Sequence, residues 1–411
     1  VLFTNPAATR RPYDPALQRV MNLATARESR QWLAGWAQLR RGSTPLHALP
    51  HLARQLGLGQ LSLKDESVRS PLASFKVLGA PVALVRLVQR QWPGAGWAPA
   101  DLLAGRHADA LADFTAISAT DGNHGRALAA AAQSIGCRCV IVLHAHVSAE
   151  REQPIRDLGA EVVRIAGNYD DSVQEAERLA RTHGWWVVSD TSYDGYEDIP
   201  RDVMQGYGIL VDELLEQVPV RADGASPFTH VLLQGGVGGL AAGVVAPLWE
   251  RYGAARPRFI AVEPEQADCL LQSAIAGRPA RATGSVDSVM AGLACGETSP
   301  LAWRFLQPTV DLFMTVGDAQ AEAAMRTLAS GTAGDVPVLS GESGAAGLAG
   351  LTALMADPAL AAQAGLGPDA RVLLISTEGA TAPGVYQAIT GRSPASVLQA
   401  QSEWMARPLH G

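Results

Sequence analysis

The chain has 411 residues, more than one hydrophobic core usually organises and comfortable for two domains. Hydrophobic residues make up 47% and charged residues 18%, which excludes a disordered chain. The formal net charge of -7 offers no concentrated basic face, so no nucleic-acid partner is expected.

The opening stretch, VLFTNPAATRRPYDP, has no apolar core long enough for a secretory signal, and a cytoplasmic protein is expected. The first forty-five residues show no clear period and read as an arm packed on the body or on a partner subunit. LHALPHLARQLGL reads as a short helix and GQLSLKDES as a strand ending in a polar turn. PLASFKVLGAPVALVRLVQR reads as a helix with Pro71 near its start. A run of α/β units follows: FTAISATDGNHG, RALAAAAQSIG, CRCVIVLHA, AEREQPIRDLG, AEVVRIAG, DDSVQEAERLARTHG and WWVVSD. The helix with Pro154 should start late or kink.

Beyond a helical linker near MQGYGILVDELLEQV come HVLLQGG, LAAGVVAPLWERYG, RFIAVEP and RVLLISTEG. From Val231 to Trp249 no residue is charged, but the central GGVGG breaks the run. It reads as buried strand, turn and helix, and no membrane span is expected. Short apolar strands between helices predict parallel sheets covered on both faces, hence two α/β domains with the active site between them. The expected division is a discontinuous large domain, 1–88 with 205–411, and a small domain, 89–204.

Cys137, Cys139, Cys269 and Cys295 are too few for a disulfide framework. Cys137 and Cys139 share a strand face near His144 and His146, but the spacing is not that of a closed zinc site, and no metal is expected. The basic residues are more telling. Of 33, only Lys64 and Lys76 are lysine. Arginine can replace lysine on a surface but cannot form an imine, because its guanidinium stays protonated. Lys76, in ASFKVLG, has the apolar neighbours Phe75 and Val77, and desolvation favours a nucleophilic amine. Lys64 lies beside Asp65 and Glu66 and reads as a salt-bridge or loop-holding residue.

In TDGNHGRALA a strand meets a polar glycine turn and a helix start. There Asn123 can donate to an anionic oxygen, Asp121 can act as a base and His124 can shape the turn. Gly235–Gly239, in GGVGGLAAG, read as a phosphate cradle. The same stretch has a rival reading, because Gly236, Gly238 and Ala241 match a dinucleotide fingerprint and Glu263 ends the next strand, where a ribose-binding acid would stand. Glu342 lies in a polar turn, LSGESGAAG. Ser376 and Thr377 end a buried strand, where a hydroxyl can face a ring nitrogen. Asp190, in VVSDTSYDGYED, ends another strand in a loop suited to an amine-bearing substrate.

These motifs resemble the diaminopropionate ammonia-lyase family, within the fold type II group of pyridoxal-phosphate enzymes that includes tryptophan synthase β. The likeness runs from about Leu61 to Thr381 through LKDESVR, SFKVLG, TDGNHGR, NYDDSV, IPRDVMQGY, LLQGGVGG, VEPEQADC, MAGLACGE, SGESGAAGL and ISTEG. It implies an enzyme converting D- or L-2,3-diaminopropionate to pyruvate and two ammonia, working as a homodimer. Lys76 would hold pyridoxal phosphate as an imine, and Asn123 would hold its phenolic oxygen. Gly235, Gly236, Val237, Gly238 and Gly239 would bind its phosphate. Ser376 or Thr377 would face its ring nitrogen, and Glu342 would stand in the cofactor site. Asp121 and Asp190 would bind substrate and assist proton removal. The sequence departs from the family at Ser70, Pro71 and Ser74, beside the lysine, which leaves substrate choice open. A serine, threonine or 3-hydroxyaspartate dehydratase is the first alternative. A nicotinamide dehydrogenase and a non-catalytic metabolite-binding protein follow.

Overall fold

The computed structural model describes residues 1–120 and 122–407. Its strands are β1 (Leu2–Thr4), β2 (Leu46–Ala48), β3 (Gln60–Asp65), β4 (Thr115–Ala119), β5 (Arg138–Leu143), β6 (Glu161–Arg164), β7 (Trp186–Val187), β8 (His230–Gln234), β9 (Arg258–Pro264), β10 (Val310–Val316) and β11 (Arg371–Ser376). They form two sheets. The larger runs β1-β10-β9-β8-β11-β3-β2, and the smaller β6-β5-β4-β7. All pairs are parallel except the two edges of the larger sheet, β1 with β10 and β2 with β3. This is the two-domain α/β architecture expected of a fold type II enzyme.

The strand sequences explain the layering. Every residue of β4 and β8 is buried, as in strands covered by helices on both faces. The helix Gly239–Tyr252 continues directly from the turn after β8, so the charge-free run Val231–Trp249 is strand, turn and helix. Among the described residues, no helix is long and apolar enough to cross a membrane.

The N-terminal arm packs on the body of its own chain. β1 pairs Leu2 with Met314 and covers an open sheet edge. Tyr13 packs edge-on against Trp249 with ring centroids 5.0 Å apart. The helix Leu23–Leu33 begins where the Asn22 side chain accepts from the Thr25 amide, and its Arg27 and Arg30 reach Asp212 at 2.9 Å.

Several boundaries differ from the sequence reading. LHALPHLARQLGL splits into β2 and the helix Pro50–Gln55, with proline at the first turn. Pro71 precedes any helix: a 3₁₀ turn, Phe75–Leu78, and then the helix Ala80–Gln91 follow it. Gly79 joins the two, and a Cβ there would stand 2.5 Å from Tyr207 Cε1. The helix Ala149–Asp157 starts well before Pro154, which removes only one backbone donor from it. The strand seen in WWVVSD is only Trp186–Val187, and β10 was not singled out at all.

Lys64 is a structural residue, as its neighbourhood predicted. Its ammonium is buried and donates to Thr44 O at 2.8 Å, Gln217 Oε1 at 2.8 Å and Glu213 Oε2 at 3.2 Å. No disulfide links the cysteines, and no group of potential metal ligands is found among the described residues.

Candidate active site

Lys76 stands on a segment stitched to the end of β11. Ser74 pairs with Glu378 in an isolated bridge, Phe75 N donates to Thr377 O at 3.0 Å, and Gly379 N donates to Ala73 O at 2.9 Å. Ser74 also caps the lysine's 3₁₀ turn by accepting from the Lys76 amide. The lysine ammonium lies 5.3 Å from the Phe75 ring centroid and 5.8 Å from that of Tyr207, and donates to Asp190 Oδ2. Burial alone would push the Lys76 pKa down, but the Asp190 carboxylate outweighs it and holds the pKa above its usual value. Burial would likewise raise Asp190, and the charge of Lys76 reverses that and depresses it. The ion pair therefore stabilises the fold at intermediate pH. Its contribution fades as pH falls through the depressed carboxyl or rises through the elevated lysine.

His124 shapes this corner. Its Nε2 lies 2.8 Å from Val188 O and serves as the donor there. That leaves Nδ1 as the unprotonated nitrogen, 4.0 Å from Asp190 Oδ2, and burial holds the ring's pKa down.

The cleft brings together Lys76, Asn123, Asp190, Gly236–Gly239 and Thr377. In its wall the helix Gly239–Tyr252 starts without any side-chain cap, so its first amides are free to receive an anion. Gly238 has φ +101°, and a Cβ there would stand 2.9 Å from Leu306 Cδ1. At Gly236 a Cβ would come within 3.3 Å of Cys295 Sγ and Gly292 O. The cleft thus offers both an amine and a neutral anion cradle. Those residues fit a phosphorylated aldehyde cofactor. Gly238→Ala should weaken pyridoxal-phosphate affinity at least about tenfold, since a strained backbone costs roughly 1–3 kcal/mol. An absorbance titration of cofactor into the apo protein checks this, and unchanged affinity would refute it.

Not every predicted residue reaches the cleft. Gly235 directly follows β8, with its amide committed to Val262 O at 2.8 Å. Ser376 is buried behind the wall and bonded to Ser340 Oγ at 2.8 Å, so of that pair only Thr377 lines the cleft. Glu342 lines a neighbouring cavity instead. Asp121 lies outside the described residues. Asn123 does reach the cleft, where its amide donates to Glu378 Oε2 and its carbonyl oxygen accepts from Arg126 at 2.8 Å. The dinucleotide reading is corrected here. Glu263 is buried, and its carboxylate accepts from the amides of Leu270 at 2.7 Å and Leu271 at 2.8 Å, so it caps a helix and faces no ribose.

The sequence reading missed Tyr207, Arg151, Tyr169 and Glu378, all of which line the cleft. Tyr207 and Glu378 sit inside the quoted motifs IPRDVMQGY and ISTEG, but nothing in the local pattern distinguished them.

Residues 37–378 match the family model described as pyridoxal-phosphate dependent enzyme, so the chain is of that class. A diaminopropionate ammonia-lyase of Salmonella typhimurium is 41% identical over 361 residues, covering 85% of this chain and 89% of that protein. The holo diaminopropionate ammonia lyase of Escherichia coli superposes with a TM-score of 0.85 at 37% identity, covering 95% of this chain and 96% of that one. The same Escherichia coli enzyme in complex with D-serine gives the same TM-score, identity and coverage. Within the pyridoxal-phosphate enzymes, the chain belongs to the diaminopropionate ammonia-lyase family.

Proposed function

We propose that this protein is a pyridoxal-phosphate-dependent ammonia-lyase that converts 2,3-diaminopropionate to pyruvate and two ammonia. The observation that carries the reading is that Lys76 and the uncapped start of the helix Gly239–Tyr252 line one cleft, in a chain of this family. Bound cofactor would supply an electron sink for charge developing at the substrate's Cα. The protein's own residues supply the rest. Lys76 would hold the cofactor's aldehyde carbon and, once displaced by the substrate amine, serve as a base at Cα. Asp190, which accepts from the Lys76 ammonium, would bind the substrate and assist proton removal. Asp121 would be the second base, a placement that would account for use of both enantiomers. Asn123 would hold the cofactor's phenolic oxygen. Gly235, through the strand end it fixes, and Gly236, Val237, Gly238 and Gly239 would seat the phosphate. Thr377, backed by Ser376, would face the ring nitrogen with a hydroxyl, leaving that nitrogen largely unprotonated.

We also propose the domain division 1–88 with 205–411 against 89–204. It is supported by β4 to β7 all falling in the smaller span. A cytoplasmic homodimer is the expected setting.

The test is pyruvate release by the cofactor-loaded protein from D- and L-2,3-diaminopropionate, with serine, threonine and threo-3-hydroxyaspartate in parallel. Release well above the hydroxy amino acids supports the reading. Product from a hydroxy amino acid alone would replace it with a dehydratase, with Ser70, Pro71 and Ser74 marking the altered pocket.

A further inference from the structure

The cleft does not end at Arg151 and Tyr169. Both side chains also line a second cavity. Its wall carries three carboxylates, Asp170, Asp287 and Glu342, against the single guanidinium of Arg151. Asp170 and Asp287 are exposed and stand at solvent, where such charges are ordinary. Glu342 is different. Its side chain is 1% exposed, and neither carboxylate oxygen has a hydrogen-bond partner. Arg151 Nη2 stands 3.8 Å from Oε1, beyond a direct bond. A buried carboxyl group left unpaired is costly, and it asks for a group that the fold itself does not provide.

We propose that this second cavity is an antechamber for an ammonium-bearing ligand on its way to or from the cleft, with Glu342 as the specificity-determining carboxylate. The inference rests on the proposed function, which supplies ammonium groups from two sources. One is the second amino group of the incoming diamino acid, and the other is the released ammonium. Both bring compact hydrogen-bond donors carrying positive charge, which suit two unpaired carboxylate oxygens. Arg151, at the junction of the cavities, can meet the carboxylate of the same amino acid. The two exposed acids favour arrival of a cation. Burial and the nearby Glu378 hold Glu342 up to about 7, so an entering cation can draw off its proton near neutral pH.

The experiment uses cofactor-loaded wild type and Glu342→Gln, which keeps size and removes charge. KM and kcat for 2,3-diaminopropionate are measured, with the affinity of D-serine read by competition. The expected result is a KM at least about tenfold higher for the diamino acid, kcat within about threefold, and D-serine affinity within about twofold. Inhibition by ammonium chloride, relative to sodium and potassium chlorides at equal ionic strength, separates the sources. Selective inhibition of the wild type that weakens in the variant marks the released ammonium, and a KM effect without it marks the incoming substrate. An equal response to potassium would mark an alkali-cation pocket and overturn the assignment. An unchanged KM, or equal loss for diamino acid and D-serine, also overturns it. If Glu342→Gln fails to fold, the exposed pair Asp170→Asn and Asp287→Asn decides. At low salt, a rise in KM confined to the diamino acid supports the antechamber, and no rise overturns it. Absence of wild-type turnover of diaminopropionate would instead overturn the proposed function.

Discussion

Lys76→Ala is expected to leave a folded protein whose turnover is reduced by at least about 10³-fold, with the visible absorbance of lysine-linked cofactor lost. The lysine is the cleft's sole aldehyde-reactive amine among the described residues, since Lys64, the chain's other lysine, is committed to Thr44, Glu213 and Gln217. Removing Lys76 also takes from Asp190 the charge that depresses its carboxyl pKa, so that pKa should move back up. Lys76→Arg sharpens the result. It restores a cation beside Asp190 but cannot condense with an aldehyde. Turnover and absorbance should therefore stay lost in the arginine variant while thermal stability partly recovers. Pyruvate release, the absorbance spectrum and thermal melting check the three parts. Substantial turnover in either variant would remove Lys76 from the proposed chemistry.

A pH experiment bears on Glu342. Its carboxyl is held up to about 7 in the fold from an ordinary 4.5, by burial first and by Glu378 second. Between those values the folded chain binds more protons than the unfolded one, so this group's contribution to stability declines as pH rises through that window. Glu342→Gln lacks the ionisation. Its melting temperature relative to wild type should climb between about pH 4.5 and about pH 7 and level off above. A flat difference across that range would show that Glu342 titrates normally.

The parts of the site that were legible in the sequence are those made by one continuous segment. Lys76 stood out because arginine fills nearly every other basic position. The turn after β8 stood out because a strand, glycines and a buried helix follow one another without interruption. What remained hidden depends on packing between distant segments. Tyr207 enters the cleft because Gly79 lets the helix Asp198–Gln217 approach the lysine turn. Glu378 gains its place by linking Asn123 on one side with the Ser343 amide on the other. The rival fingerprint around Gly236 fails for a related reason: the Glu263 side chain turns to a helix start that sequence spacing does not reveal. Lys64 shows the same limit for the fold. Composition flagged it as unusual, but only its partners across the core say why.

Glu213→Gln is expected to be among the most destabilising single substitutions that spare the cleft. The Glu213 carboxylate accepts from Arg69 Nη1 at 2.6 Å, Arg69 Nη2 at 2.7 Å, the Thr44 amide at 3.1 Å and Lys64 Nζ at 3.2 Å. Glu66 supplies the second negative charge, accepting from Arg69 Nε at 2.7 Å and Nη2 at 2.9 Å. Two cations and two carboxylates are thus balanced in the interior, and all four residues are buried. Burial opposes ionisation of Glu213, but Arg69 and Lys64 outweigh it and hold the carboxyl below its usual value. Glutamine keeps the shape and leaves one cation uncompensated. Breaking a buried pair in this way costs about 3–5 kcal/mol. The melting temperature should fall by roughly 5–10 °C. The control is Glu175→Gln, whose partner Arg178 is mostly exposed and whose loss should be nearly silent. The network also anchors the DESVR loop that leads to Lys76, through Arg69 on that loop and Glu213 on the helix Asp198–Gln217. Below its melting transition the variant should still bind cofactor, because no member of the network lines the cleft. A stability equal to wild type would mean that water or a backbone shift re-solvates Lys64 and Arg69. The loop would then owe its position to the bridge between Ser74 and Glu378, and not to buried charge.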